Sequence, residues 1–123
     1  MTLRRSNKMA ATLQPRLRVT RRDDIALGPG KAELLALIGK TGSIIDAARA
    51  MKMSYMRAWS LVKTMNRCFK EPLVTASRGG TGGGGAKLTA SGRQVLALYQ
   101  QMEESAQSAT APGWKSLQKL LRH

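Results

Sequence analysis

The side chains best suited to chemistry in this sequence are the cationic and hydroxyl groups between Ser54 and Lys70. Arg57, Lys63 and Arg67 lie there, and no acidic residue interrupts the stretch. Guanidinium and ammonium groups bind phosphate oxygens, and guanidinium and hydroxyl groups also donate to the edges of bases. The chemistry that this stretch indicates is noncovalent recognition of a polyanion.

Residues for covalent chemistry are scarce. The only histidine is His123, and the only cysteine, Cys68, falls near the edge of an apolar arc, as a small packed residue would. Asp23 and Asp24 suit a turn. No cluster has the spacing of metal ligands, and no set of nucleophile and base can be assembled. We therefore expect no enzymatic activity, no catalytic residue, no metal and no cofactor.

Two short helices around a tight turn are predicted to position the cationic residues. Ser43 is a good N-cap with Asp46 three residues later, Lys52-Met53 is the predicted turn, and Ser54 caps again. The helix that begins after Ser43 has a narrow stripe of mostly small apolar residues, namely Ile44, Ala47, Ala48 and Met51. Small side chains allow a second helix to cross closely.

The second helix divides into two faces when each residue advances by about 100°. One face is apolar and is expected to be buried, and it consists of Tyr55, Ala58, Trp59, Val62, Met65 and Phe69. The opposite face carries Arg57, Ser60, Lys63, Thr64, Arg67 and Lys70, with Met56 among them. This pattern is typical of a helix-turn-helix that binds DNA. An ordinary helical hairpin with a solvated basic face is the alternative.

Composition supports an anionic partner. The 123 residues include 21 Lys and Arg against 7 acidic residues, a net charge of +14. Such a charge indicates a polyanionic partner. Nucleic acid is favoured over a membrane surface, because no apolar run approaches the length of a membrane-spanning helix. A single cysteine fits a reducing cytoplasm, where we expect the protein to reside. The length suits one domain with appended segments.

The segments before the two helices are expected to complete the domain. Residues 1–15 are predicted to form a basic flexible tail, and Arg16 to Thr20 an exposed strand. Asp23-Asp24 would turn the chain so that Ile25 to Leu27 returns beside it. Lys31 to Lys40 is the first predicted helix, with its buried stripe at Leu34, Leu35, Leu37 and Ile38. Gly42 is placed to end it in the left-handed conformation.

The glycine run from Gly79 to Gly85 is predicted to be the tip of a hairpin. Leu73 to Ala76 and Lys87-Leu88 are the expected strands on either side. The run also satisfies the dinucleotide fingerprint G-x-G-x-x-G, but no helix opens at the glycines, as that motif requires. A flexible linker is a further alternative. Flanking strands and flanking cations favour a wing that contacts DNA.

A long helix follows the hairpin. Thr89 is its predicted N-cap, and Ala111-Pro112-Gly113 is expected to break it. Its apolar side is predicted to pair with a second copy of the chain, through Val95, Leu98, Tyr99, Met102 and Ala106. A short amphipathic segment from Trp114 is expected to dock on that helix or on a partner.

A dense set of matches extends across these elements. It comprises Gly28-Pro29-Gly30-Lys31, Thr41-Gly42-Ser43-Ile44, Ala47-Ala48, Met53-Ser54-Tyr55, Ala58-Trp59, Met65-Asn66, Glu71-Pro72-Leu73-Val74 and Gly79 to Gly85 with Leu88-Thr89. Together these residues resemble the N-terminal DNA-binding domain of ModE-type molybdate-responsive transcriptional regulators, itself similar to the winged helix-turn-helix domains of LysR-type regulators. The resemblance covers roughly Leu17 to Tyr99.

The resemblance implies a winged fold, a recognition helix at Ser54 to Arg67, a glycine-tipped wing and dimers formed by helices. The expected fold is mainly α with a small β-hairpin: a winged helix-turn-helix over 16–88, a dimerisation helix over 89–110 and a short segment over 111–123. Residues expected near base edges are Ser54, Tyr55, Met56, Arg57 and Ser60. Those expected to hold phosphates are Lys63, Arg67, Arg78 and Lys87, with Thr81 as a further contact in the wing.

The predicted function is a sequence-specific, homodimeric regulator of transcription that binds double-stranded DNA. Full-length members of the family carry C-terminal oxyanion-binding domains that sense molybdate, and no stretch after Pro112 has the length of one. Direct molybdate binding is therefore not expected, although control of molybdenum-related genes is compatible with the sequence. A nonspecific architectural nucleic-acid-binding protein is the alternative function, and an enzyme that uses the glycine loop is a distant third.

Overall fold

Two antiparallel strands open the structure, a computed structural model that describes residues 11–77 and 85–122. Strand β1 (Val19–Arg21) pairs with β2 (Asp24–Leu27). The predicted turn at Asp23-Asp24 is displaced by one residue: Arg22 has a φ of 56°, and Asp24 already pairs with Arg21. The left-handed conformation of Arg22 closes the hairpin one residue earlier than the two acidic residues suggested.

Three helices follow, and their ends confirm the predicted caps. Helix α1 spans Pro29–Thr41, α2 spans Ile44–Ala50 and α3 spans Tyr55–Cys68. Gly42 ends α1 with a φ of 72°, and its N–H donates to the carbonyl of Ile38 at 2.8 Å. The hydroxyls of Ser43 and Ser54 accept from the third backbone N–H beyond each, at 3.0 and 3.1 Å. These caps fix where the two helices of the helix-turn-helix begin.

The core lies where these helices meet the second hairpin and the long last helix. Its fully enclosed side chains are Leu34, Leu35, Ile38, Val62, Met65, Leu73 and Tyr99. Alanines 47, 48 and 58 are also buried at the contact between α2 and α3. Because these side chains are small, the two helices can lie close together, as the sequence predicted.

The second hairpin is the base of the wing. Strand β3 (Val74–Ser77) pairs with β4 (Gly85–Leu88), so that Val74 lies opposite Leu88 and Ser77 opposite Gly85. Residues 78–84, with the predicted contacts Arg78 and Thr81, lie outside the described residues. On its other side β4 meets the start of the helix-turn-helix, where the N–H of Ala86 donates to the Gly42 carbonyl at 2.9 Å. The fold thus has two antiparallel hairpins, both at places where the sequence predicted paired strands.

The last helix, α4, spans Ala90–Gln118, and the predicted break at Ala111-Pro112-Gly113 is wrong. The hydroxyl of Thr89 caps it by accepting from the N–H of Gly92 at 2.9 Å. A proline inside a helix removes one hydrogen bond. Here the freed carbonyl belongs to the exposed residue Ser108, where water can replace the lost donor. The residues from Trp114 to Gln118 therefore prolong α4 instead of forming a separate helix.

Tyr99 corrects a second expectation about α4. Its side chain is only 1% exposed, and its hydroxyl donates to the Leu17 carbonyl at 2.7 Å. The first half of α4 packs on the core of its own chain, so Tyr99 belongs to that core and not to a surface for a second copy. Leu98 and Met102 remain exposed, and Val95 and Ala106 are half-buried.

Candidate nucleic-acid interface

One face of α3 is exposed and carries the predicted contacts. Met56, Arg57, Ser60, Lys63 and Arg67 are all exposed. The face toward the core consists of Ala58, Val62 and Met65, all 0% exposed. The helix is therefore oriented largely as the sequence predicted, with its basic side outward.

Tyr55 and Trp59 are exceptions to that orientation. Both were expected in the core, but 47% of Tyr55 and 41% of Trp59 are exposed. They occupy the edge of the buried arc that faces the wing, where β3 does not fully cover them. Between these two rings and the β3 residues Thr75 and Ala76 lies a groove of about 220 Å³. Apolar and aromatic surface thus borders the cationic face on the wing side.

Arg67 has an acidic partner, unlike the other predicted phosphate contacts on α3. Its guanidinium lies 3.3 Å from the Asp24 carboxylate. In the part of the chain that the structure describes, the only other ion pair joins Asp46 and Arg49. Arg57 and Lys63 are therefore unpaired there, whereas Arg67 also joins α3 to β2. A phosphate contact by Arg67 stays a prediction, and it would compete with this ion pair.

Lys31 adds a cation beside the same contact. It lies in the first turn of α1 and is partly buried, and this burial lowers the pKa of its ammonium group. The Asp24 carboxylate opposes that shift, and Arg57 reinforces it. The charges of Lys31 on α1, Arg57 on α3 and Asp24 on β2 therefore act on one another.

The described part of the wing presents one predicted contact. Lys87 is exposed and pairs across the hairpin with Thr75. Successive residues of a strand point to opposite faces, so Lys87 faces away from its buried neighbours Ala86 and Leu88. Its ammonium group is free to reach an anion on the outer face of the wing.

Asn66, absent from the predicted site, joins α3 to the start of β3. Its amide oxygen accepts from the N–H groups of Leu73 and Val74 at 2.8 and 3.2 Å. Its amide nitrogen donates to the Val74 carbonyl at 3.0 Å. A polar amide on the inner flank of an amphipathic helix was the only local signal, and the partners follow only after the chain has turned.

Leu73 in turn contacts the start of α4. Its carbonyl accepts from the N–H of Thr89 at 2.9 Å. Gly92 lies so close that a β-carbon there would overlap the Leu73 carbonyl oxygen. Glycine is therefore required at this position for α4 to pack against the segment between α3 and β3.

Residues 11–77 and 85–122 show neither a metal site nor a membrane-spanning helix. No group of three His, Cys, Asp or Glu side chains there could hold a metal ion. None of the helices in those ranges has the length and apolar character needed to cross a bilayer.

Comparison with known proteins finds similar stretches in Mop and ModE proteins. The chain is 41% identical over 99 residues to the molybdenum-pterin-binding protein MopB of Rhodobacter capsulatus, a match that covers 80% of this chain and 37% of MopB. It is 37% identical over 81 residues to the DNA-binding transcriptional dual regulator ModE of Escherichia coli K12, covering 66% of this chain and 31% of ModE. The chain thus spans about a third of the length of these relatives. No protein-family model matches the sequence.

Comparison of structures supports the same fold. The DNA-binding domain of CbnR, solved in complex with DNA, superposes with a TM-score of 0.57 at 16% identity and covers 72% of this chain and 95% of that domain. At this identity the likeness concerns the fold alone. The sequence relatives and the shared fold agree with the arrangement of α2, α3 and the wing. The chain therefore carries a ModE-like winged helix-turn-helix domain, homologous to part of the ModE and Mop proteins.

Proposed function

We propose that the protein is a sequence-specific regulator of transcription that binds double-stranded DNA as a homodimer. The observation that carries the proposal is the exposed face of α3, which presents Arg57 and Lys63 without acidic partners in the described chain. ModE relatives are transcriptional regulators, and the structural neighbours are DNA-binding domains. The name of MopB also concerns molybdenum, so we extend the proposal to genes of molybdenum metabolism.

The N-terminal half of α3 is the part proposed to read bases. Ser54, Met56, Arg57 and Ser60 lie on or before its first two turns and are exposed. An arginine can donate two hydrogen bonds to guanine, and an apolar side chain can contact the methyl group of thymine. The half-exposed ring of Tyr55 lies beside them at the wing groove.

Cations around this half are proposed to hold the DNA backbone. Lys63 lies farther along the exposed face of α3, and Lys87 lies on the outer face of the wing. Contacts to phosphate fix register and orientation but carry no sequence information. Arg78 and Thr81 extend the same proposal into the wing.

A homodimer is supported by the second half of α4. No residue of this helix after Tyr99 is buried, and Leu98 and Met102 are about half exposed. Long helices with an apolar side commonly pair with a symmetry mate. A symmetric protein should select a DNA sequence with matching twofold symmetry.

The decisive experiment is selection of bound sequences from random duplex DNA. We expect a sharp motif with twofold symmetry. Arg57→Ala should weaken binding to the selected site by about 1–3 kcal/mol and relax the preference at one position of each half. Lys63→Ala should instead weaken specific and random duplexes alike and make the salt dependence shallower.

Lys115→Ala is the matched control, because it removes the same charge from the distant end of α4. It should leave base preference unchanged. Enrichment of no motif, or equal effects of Arg57→Ala and Lys63→Ala on specific and random duplexes, would contradict sequence reading and favour an architectural role.

A further inference from the structure

The hairpin formed by β1 and β2 lies against the C-terminal end of α3. The Asp24 carboxylate of β2 is 3.3 Å from the Arg67 guanidinium and 3.9 Å from the sulfur of Cys68. Both of these α3 residues belong to its last turn. The first hairpin therefore borders the recognition helix directly, through side chains that contact each other.

This hairpin and the wing lie on opposite sides of α3. Trp59 and Asn66 mark the wing side, because Trp59 lines the groove beside β3 and Asn66 bonds to Val74. Cys68 marks the side of the first hairpin. Trp59 and Cys68 are separated by nine positions, and at about 100° per residue they lie about 180° apart around the helix axis. The exposed stripe between the two sides consists of Met56, Ser60, Lys63 and Arg67.

The first hairpin presents an arginine at this border. Arg21 lies directly opposite Asp24 in the register of the two strands, so both side chains stand on the same face of the hairpin. Asp24 uses that face to reach Arg67. Arg21 is exposed and has no ion pair within residues 11–77 and 85–122. Its guanidinium is therefore available to an anion beside the exposed stripe of α3.

Positive charge exceeds negative charge around Asp24. This carboxylate is ion-paired with Arg67 and lies opposite Arg21. It also acts on Lys31, where burial lowers the pKa of the ammonium group and Asp24 opposes that effect. The turn at Arg22-Asp23 adds one charge of each sign and leaves the balance unchanged. Three cations thus share one carboxylate, and the excess attracts a further anion such as phosphate.

The dimensions of B-DNA give this arrangement a meaning. A helix with its side chains is about 10–12 Å across, and the major groove is about 12 Å wide. A recognition helix therefore nearly fills the groove. Elements that flank the helix on opposite sides then lie beside the two sugar-phosphate backbones that bound the groove. The wing meets one of these backbones, and the first hairpin meets the other.

We propose that the β1–β2 hairpin is a second contact to the DNA backbone, in which Arg21, together with Arg67, binds a phosphate across the major groove from the wing. The inference rests on the DNA binding proposed above and adds a contact by an element outside the helix-turn-helix and the wing. Asp24 has an opposing role there. It competes with the phosphate for Arg67, which limits the affinity for any duplex.

The salt dependence of binding to a labelled random duplex tests the contact. Each phosphate contact that is lost reduces the slope of log K against log salt by about 0.9. Arg21→Ala should reduce the slope by that amount for each bound chain and weaken specific and random duplexes alike. Arg21→Lys keeps the charge and should restore the slope. Arg16→Ala is the matched control and should leave it unchanged, because Arg16 precedes Leu17, whose carbonyl is bonded to Tyr99 on α4.

The competing role of Asp24 has its own pair of variants. Asp24→Asn removes the acidic partner of Arg67 and should strengthen binding to the random duplex and steepen the slope. Asp23→Asn removes the same charge from the exposed turn, where the described chain shows no ion pair, and should have a smaller effect on both quantities.

The possible outcomes separate this contact from DNA binding itself. If Arg21→Ala leaves the slope unchanged while Lys63→Ala lowers it, the protein binds DNA through α3 and the hairpin contact is overturned. If Arg21→Ala lowers both the slope and the melting temperature and Arg21→Lys restores neither, the residue acts on the fold and the contact is again overturned. If the unaltered protein binds no duplex, the proposed function fails together with the contact.

Discussion

Asn66→Ala should remove the side-chain hydrogen bonds that join α3 to the start of β3, without altering any exposed residue of α3. The substitution removes three hydrogen bonds: two accepted from the N–H groups of Leu73 and Val74, and one donated to the Val74 carbonyl. Leu73 and Val74 are 0% and 4% exposed, so water replaces these partners poorly. Most of the expected loss of stability therefore comes from buried backbone groups left without a hydrogen-bond partner.

The magnitude follows from those three groups. A hydrogen bond contributes a net of about 0.5–1.5 kcal/mol, and a buried donor or acceptor left without a partner costs about 1–3 kcal/mol. Because Asn66 itself is half-buried, some water can enter the space that its side chain leaves. We therefore expect the free energy of unfolding to fall by about 2–4 kcal/mol, near the lower end of the roughly 3–9 kcal/mol that three full penalties would give.

Urea denaturation followed by circular dichroism measures this change. The protein concentration must be held constant, since the stability of a dimer depends on it. Ser60→Ala on the exposed face of the same helix is the control and should change stability by less than about 0.5 kcal/mol. A loss below about 1 kcal/mol for Asn66→Ala would refute the reasoning, because it would mean that solvent already satisfies the Leu73 and Val74 groups.

Two further predictions concern aromatic residues. Trp59→Ala should lower the free energy of unfolding, measured by urea denaturation, by about 2 kcal/mol. This is less than the roughly 3–5 kcal/mol of a fully buried aromatic residue, because Trp59 is 41% exposed. A loss above about 4 kcal/mol would mean that the ring is buried. Burial, and secondarily Glu103, raises the pKa of Tyr99 above its ordinary 10.0, so the unfolded chain loses this proton first and stability should fall as pH rises above about 10. Tyr99→Phe should lose about 1 kcal/mol at neutral pH with its hydrogen bond to Leu17 and show a shallower alkaline decline, and identical declines would contradict the assignment.

Features that depend on a few neighbouring residues could be predicted from the sequence. The caps at Ser43 and Ser54 and the left-handed Gly42 need only the local chain, and all three are confirmed. The outward orientation of Arg57 and Lys63 also follows from the helical period alone.

Features that depend on distant partners could not be predicted in the same way. The Asp24 partner of Arg67 lies 43 residues earlier in the chain, and the exposure of Trp59 depends on how far β3 covers it. The continuation of α4 through Pro112 had another cause. The cost of a helical proline depends on whether water can reach the freed carbonyl, and the sequence contains no direct sign of that exposure.

The contacts at Leu73 have a consequence for the DNA that the protein would select. Asn66 of α3 binds the N–H of this residue, and the carbonyl accepts from Thr89 and packs on Gly92 at the start of α4. These contacts, together with the packing of α4 on α1 and β4, set the angle between α3 and α4. In the proposed homodimer that angle determines how far apart the two recognition helices lie, and hence the number of base pairs between half-sites, which for such dimers matches whole turns of about 34–36 Å. Operator spacing would thus depend in part on the backbone of a residue in the protein interior.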